Sequence, residues 1–351
     1  MDKIWKYFFP VFISGAFVMV SELGYYYLIL AVLLIANILN YTWGELSNRE
    51  VLDEIKTFYG RRGAKIKRIS AVALLCFIFW ALWFTDKSGF SFANLILFGF
   101  CTGCLSGCFI VTLAHDMLHG KTFTGKVLSS LLLISVNTPH LAADHIFGHH
   151  RLIGLKEDTN TAPLNQNFYV YFFRLSWSRL EHSFFTQFQL PSYARKKILK
   201  SSLTMLAISL TAWALIIILA RHPAATLFFF IFQGFIAYFL YELINYIQHY
   251  GLKRKSGSDD ITQNLSWNCY YKYTNYILYL LPLHSLHHLP QKSRKINLTA
   301  MKAGPRMPYL YFVMVGMALI PKIWFWKMNP LAIQYNKANE NVNEELPSIY
   351  S

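Results

Sequence analysis

The stretch Ser91–His115, SFANLILFGFCTGCLSGCFIVTLAH, contains no Asp, Glu, Lys or Arg. Runs of roughly 18 or more apolar residues are long enough to cross a bilayer as a helix, so this one reads as a membrane span. It leads directly into His115-Asp-Met-Leu-His119, an H-x-x-x-H pair. At i and i+4 on a helix both rings leave the same face, and two such rings can address one metal. A span that delivers two imidazoles at its end fixes both the class of fold and the place to look for chemistry.

The same criterion gives five further spans, near 5–22, 24–43, 69–85, 203–220 and 224–248, and a shorter apolar stretch, about 127–140, expected to be buried or re-entrant. The chain is 54% hydrophobic and 15% charged, where soluble proteins carry about 25% charged residues. The expected fold is an all-α integral membrane protein of about six transmembrane helices. The first run is followed at once by a second and has no small-residue cleavage site, so it reads as a retained anchor. There is no internal repeat. Residues 1–335 read as a single membrane-embedded catalytic domain, and 336–351, with Asn336, Glu340, Glu344 and Glu345, as a polar, flexible C-terminal tail. Between the spans lie an amphiphilic connection at 44–68 and a large insertion at 116–202, whose aromatic run Phe168–Phe173 suits the interface of lipid and water.

The net charge of +15 raises the question of nucleic acid, and its distribution answers it. With Lys3 and Lys6 placed in the cytoplasm, six alternating spans leave three external connections, around Glu22, Asp86–Gly89 and Arg221–Pro223. These hold only Lys87 and Arg221 of the 33 basic residues. That asymmetry is the positive-inside rule, and no nucleic-acid partner is needed to explain the charge. The expected location is the cell (inner) membrane, multi-pass, with both termini cytoplasmic. His115 and His249 then end their spans on the cytoplasmic face. Cys101, Cys104 and Cys108 share one helical face with Gly103 and Gly107 inside a span, which points to close helix packing rather than redox or metal chemistry.

Nine of the twelve histidines fall into four groups: His115 and His119; His145, His149 and His150; His249; and His284, His287 and His288. Adjacent residues on a helix point about 100° apart, so His149 and His150 are placed to serve two metals, and His287-His288 repeats the device. Nine donors exceed what one metal accepts. Imidazole suits iron, zinc, copper and nickel alike, which leaves the metal open. A zinc protease of the H-E-x-x-H type is a poor fit, because Asp116 stands where its glutamate would be. Isolated His140, His182 and His222 read as wet interfacial residues. Asp116, Asp144, Asp158 and Glu242 could orient histidine N–H groups or pair with Arg151, Lys156 or other cations.

These boxes resemble the histidine signature of integral-membrane desaturases, hydroxylases and related oxygenases. Asn245-Tyr-Ile-Gln-His249-Tyr-Gly-Leu252 is similar to the extra histidine motif of membrane alkane monooxygenases (alkane 1-hydroxylases), and Glu157-Asp158, Ser266-Trp267-Asn268 and Met328-Asn-Pro330 add to the likeness. The resemblance implies a cytoplasmic-side non-haem di-iron site, two iron ions held by His115, His119, His145, His149, His150, His249, His284, His287 and His288. Asp116, Asp144, Asp158, Glu242 and Asn245 would surround it. It further implies O₂ as co-substrate, an alkane or similar apolar chain hydroxylated at its terminal carbon, and a rubredoxin-like electron carrier with an NAD(P)H-dependent reductase. The sequence departs from the family pattern at Asp116, Gly120, Asp144, Leu283 and Leu286. A fatty-acyl desaturase or decarboxylase would use the same boxes. A membrane metal transporter or sensor would need ionisable groups through the bilayer depth, and these spans are nearly free of them.

Overall fold

The structure is a computed structural model that describes residues 3–120, 122–184, 192–254, 261–288 and 304–344. Among the described residues the regular structure is helical, apart from two isolated bridges, Glu45 with Tyr271 and Asn268 with Arg306. Five helical segments are long and apolar enough to cross a membrane: Ile4–Glu22, Arg61–Ser88, Phe92–Leu118, Ile198–Leu219 and Pro223–His249.

The sixth expected span is shorter than its hydropathy suggested. Helix α1 (Phe9–Glu22) ends in a turn, Tyr26–Leu28 forms a 3₁₀ turn, and α2 (Ile29–Trp43) has 15 residues, about 22 Å at 1.5 Å per residue. It nonetheless returns the chain across the bundle. At one end Tyr26 packs on Phe90 and Phe98, and at the other Trp43 packs on Phe9 and Tyr273.

The amphiphilic connection forms α3 (Asn48–Phe58), started by a Ser47/Glu50 capping box that satisfies two orphan backbone donors. Buried Glu54 takes hydrogen bonds from Lys6 and Tyr7, which ties α3 to the start of the chain. Then come α4 (Arg61–Ser88), α5 (Phe92–Leu105), a π-helical turn at Ser106–Val111, and α6 (Thr112–Leu118). The glycines of this segment pack against the last long span, whereas Cys104 and Cys108 face a hollow beside Ile13 and Ile29. A Cβ on Gly103 would lie 2.6 Å from Ile236 Cβ, and one on Gly107 would lie 2.9 Å from Ala237 O. Small residues are therefore required here, as close helix packing demands.

Helix α7 (Phe123–Ser135) is the re-entrant piece. Ser129 Oγ, mid-way along it, donates to Ala114 O, and Asn137 Nδ2 just beyond its tip donates to Phe230 O, about two turns into α12 from that helix's far end. The chain then descends through α8 (Leu141–Asp144), a second π turn at His145–His149 and α9 (His150–Leu152). Helix α10 (Phe168–Phe184) buries Phe168, Tyr171 and Phe172 and exposes Tyr169, Val170 and Phe173, so the aromatic run has one packed and one outward face. The long pair α11 (Ser192–Leu219) and α12 (Pro223–His249) completes the bundle.

Short helices α13 (Lys272–Ile277), α14 (His284–His288) and α15 (Tyr311–Ala318) cover the end where α6 and α12 finish. Helix α16 (Pro321–Glu344) lies beside them, and buried Trp324 packs on Tyr246 and Tyr250. The expected polar tail from 336 continues as helix to Glu344, with Asn336 Nδ2 donating to Gly251 O. Residues 345–351 lie outside the described residues.

The two ends of the bundle differ in charge. At the far end Asp86 accepts from the backbone N–H groups of Arg221 and His222, and Trp80 Nε1 donates to Glu22. Lys87 and Arg221 both sit there. The run Arg61, Arg62, Lys65, Lys67 and Arg68 opens α4 at the opposite end, beside the histidines.

Candidate metal centre

The grouped histidines come from four elements that end at one level: α6, the π turn with α9, α12 and α14. Eight of the nine fall into two sets of four. His119, His145, His150 and His287 form one, His149, His249, His284 and His288 the other, and within each set the facing atoms all lie within 4.8 Å of one another. The adjacent pairs divide: His149 and His150 belong to different sets, as do His287 and His288. The ninth, His115, stacks beside the first set, its ring 4.0 Å from His145 and 4.4 Å from His287 between centroids. The sets adjoin, with the His150 and His288 rings 4.5 Å apart.

In the first set His145 Nε2 lies 3.0 Å from His119 Nε2, 2.9 Å from His150 Nε2 and 3.5 Å from His287 Nε2. In the second, His284 Nε2 lies 3.0 Å from His249 Nε2 and 2.9 Å from His288 Nε2. A neutral imidazole has one N–H, and two rings of the second set already spend theirs facing outward. His149 Nδ1–H donates to Asp158 at 3.1 Å, and His249 Nδ1–H donates to the Leu265 carbonyl at 3.1 Å. Their Nε2 lone pairs therefore point inward, and His149 Nε2 is buried with no hydrogen-bond partner.

Converging lone pairs repel unless a cation lies between them. Metal–imidazole bonds of about 2.0–2.1 Å at angles between square and tetrahedral give nitrogen edges of about 2.9–3.4 Å, close to the spacing observed. Burial and the neighbouring imidazoles hold His145, His150, His284, His287 and His288 well below their ordinary pKa, so they are neutral at pH 7, the form that binds metal. The residues fit a pair of metal ions. Two four-nitrogen hollows at one end of an all-helical membrane bundle restrict the family sharply, and residues 90–303 match the fatty acid desaturase family model.

The chain belongs to the fatty acid desaturase family.

Within that family it is similar to alkane 1-monooxygenase 2 of Alcanivorax borkumensis, 28% identical over 76% of this chain and 72% of the relative. It is also similar to the alkane 1-monooxygenase of Acinetobacter baylyi, 28% identical over 74% of this chain and 64% of the relative. Alkane 1-monooxygenase 1 of Pseudomonas aeruginosa is 30% identical over 68% and 64%. For the last two the chain spans just under two thirds of the relative's length. By name these relatives are oxidoreductases.

Around the imidazoles this family member carries a buried polar layer. Of the five surrounding residues singled out from sequence, Asp158 touches a grouped histidine directly. Its carboxylate also accepts from Thr161 Oγ1 and the Asn160 backbone N–H. Asp144 and Glu242 stand one layer out and meet at Arg179, a residue the sequence reading passed over, and Asn245 joins them through Asn160 and Glu242. Arg179 Nε donates to Asp144 at 2.9 Å, Nη1 to Glu242 and Nη2 to Asn160. Asn245 Nδ2 donates to Asn160 Oδ1 and Tyr171 OH. Burial alone would raise the Asp144 carboxyl, but hydrogen bonds from His182, Asn160 and Arg179, with the guanidinium charge, hold it well below the usual carboxylate range.

Arg151 and Lys156, the cations proposed from sequence, are exposed, and Arg179 takes their place. The signal was available in principle: two carboxylates flanking apolar segments need a buried cation, and Arg179 sits inside an aromatic helix. His182 is half-buried 3.7 Å from Asp144, so it is not a wet bystander. Asp116 faces the other way and pairs with Lys67 at 2.8 Å. That pair borders an open cavity of about 200 Å³, which His119, His287 and Arg68 also line.

Proposed function

We propose that the protein is a membrane-bound non-haem di-iron monooxygenase that hydroxylates the terminal carbon of alkanes or similar apolar chains. The observation that carries the reading is the pair of facing four-imidazole sets, each sized for one metal ion. The three relatives named as alkane 1-monooxygenases favour hydroxylation over desaturation. In the overall reaction one atom of O₂ enters a C–H bond and the other leaves as water, with two electrons and two protons consumed. When bound, the two irons would supply the reductive activation of O₂. His115 is the ninth donor, placed to complete or reshape the first set.

The chain's own residues do the remaining work. Asp158 and the Leu265 carbonyl fix the tautomer and ring angle of His149 and His249, so that Nε2 faces inward. Arg179 locks the segments that carry His145, His149 and His249 against one another through Asp144, Asn160 and Glu242. An apolar hollow among Ile13, Ile29, Cys104, Cys108, Phe109 and Ile277 lies two turns above His115. The cavity at Lys67 and Asp116 gives the aqueous side its own access for water and protons.

Electrons would come from a rubredoxin-like carrier served by an NAD(P)H-dependent reductase, which the basic start of α4 could steer to this face. The concentration of basic residues at the histidine end supports a reading in which that end faces the cytoplasm from the inner membrane. Elemental analysis of the detergent-purified protein should give close to two irons per chain. Labelled alkanes should yield terminal alcohols by mass spectrometry. A folded protein free of iron, or alkene as the main product from fatty-acyl chains, overturns the assignment.

A further inference from the structure

Helix α7 stops short of the far end, so the gap between α4 and α11 stays open beyond and beside its last turns. The result is a groove of about 640 Å³ with α4 and α11 as walls, α12 as its back and the tip of α7 as its floor. Its lining is apolar except at the rim and at Ser135, and it runs from Asp86 down to Leu75 on α4 and from Ala220 down to Ile208 on α11. Eleven or twelve residues at 1.5 Å each make it about 16–18 Å deep, close to the roughly 15 Å hydrocarbon depth of one leaflet. Water gains nothing in such a cleft, and the floor separates it from the imidazoles.

Lys87 and Arg221, the two basic residues of the far-end connections, flank its mouth. Lys87 Nζ lies 4.7 Å over the ring of Trp83, which lines the groove, and Arg221 follows the lining residue Ala220. Both side chains are exposed and free to reach outward. Asp86 at the same rim is engaged by the Arg221 and His222 backbone N–H groups and by Thr226 Oγ1.

We infer that this groove holds one phospholipid of the leaflet opposite the histidines, an acyl chain filling the cleft and its phosphate held by Lys87 and Arg221. A spanning helix from a second copy would need about 30 Å, well beyond the cleft, so the single-leaflet depth suits an acyl chain, and the cationic mouth selects a phosphate over a bare hydrocarbon. The occupant would wedge α11 against α4 where no protein does so. The inference is independent of the redox reading.

The test extracts the full-length protein in mild detergent, removes lipid stepwise and counts retained phosphatidylglycerol by native mass spectrometry. One molecule per chain is expected to persist. K87A/R221A, exposed and remote from the metal centre, should weaken retention about thirtyfold, since each cation near an anionic headgroup contributes about 1 kcal/mol, with metal content unchanged. Ala212→Phe, which fills the cleft, should abolish retention, and excess dodecane should not displace the lipid from the parent protein. The inference fails if no phospholipid persists, if K87A/R221A retains as much as the parent, or if dodecane displaces it. It fails equally if Ala212→Phe changes the oligomeric mass instead of the lipid count.

Discussion

The two histidine sets have the same donors and different surroundings. All four members of the second set are buried, and two are pinned from behind by Asp158 and the Leu265 carbonyl. In the first set His119 and His150 are partly exposed, and a 200 Å³ cavity reaches His119 and His287. One set is built to hold, the other to be reached. On the proposed reading the first set is the accessible one and the second the anchor.

The bluntest challenge removes the hub of each set. His145→Ala and His284→Ala should each abolish turnover and lower metal content by at least one ion per chain, read by elemental analysis, with membrane insertion retained. Activity surviving in either variant would show that the sets are not the site. Arg179 reaches the segments of both sets, so Arg179→Met leaves Asp144 and Glu242 buried without a cation and should cost about 3–5 kcal/mol of stability. A thermal midpoint close to the parent's would mean the Arg179 layer is ornamental.

Asp158→Asn attacks the anchor alone. Loss of such a partner typically weakens metal binding about 10–100-fold, and the loss should be confined to one ion in a chelator titration. Acid should reverse the ranking. The clustered imidazoles have depressed pKa values in the fold, whereas in the unfolded chain they take up protons near the ordinary imidazole value of about 6.5. Stability is then fully present above about pH 6.5 and declines as pH falls below it. Water reaches the first set more readily, so its ion should leave first when metal content is followed from pH 7 to 5. Lys67→Ala should do least. The cavity lets water replace the ammonium beside Asp116, so a loss of about 1 kcal/mol or less in thermal stability is expected, with metal content intact.

Much of this was legible in sequence because the information was local. Long apolar runs gave the spans, the i and i+4 spacing of His115 and His119 brought both rings beside His145, and the brief run before Asn137 marked the re-entrant helix. Hydropathy did not see that Gly24 and the turn at Tyr26–Leu28 take residues from α2, because turn residues there are as apolar as the helix. The Arg179 layer was illegible for another reason. Its partners Asp144 and Glu242 lie 35 and 63 positions away, and no periodicity connects them. Nor does spacing alone say that His287 joins His145 while His288 joins His284; that requires the crossing of α14 over the ends of α6 and α12.

The π turn at Ser106–Val111 makes the fourth apolar segment unusually forgiving of a change in length. Such a turn holds one residue more than the α-helical turns around it. Deleting Cys108 would let it relax to ordinary helix and keep the flanking phases, so His115 would still face His145. The same deletion in α5 would swing everything after it by about 100° and carry His115 and His119 off their targets. A scan of single-residue deletions along 92–114 should therefore show one tolerant window in an otherwise intolerant stretch.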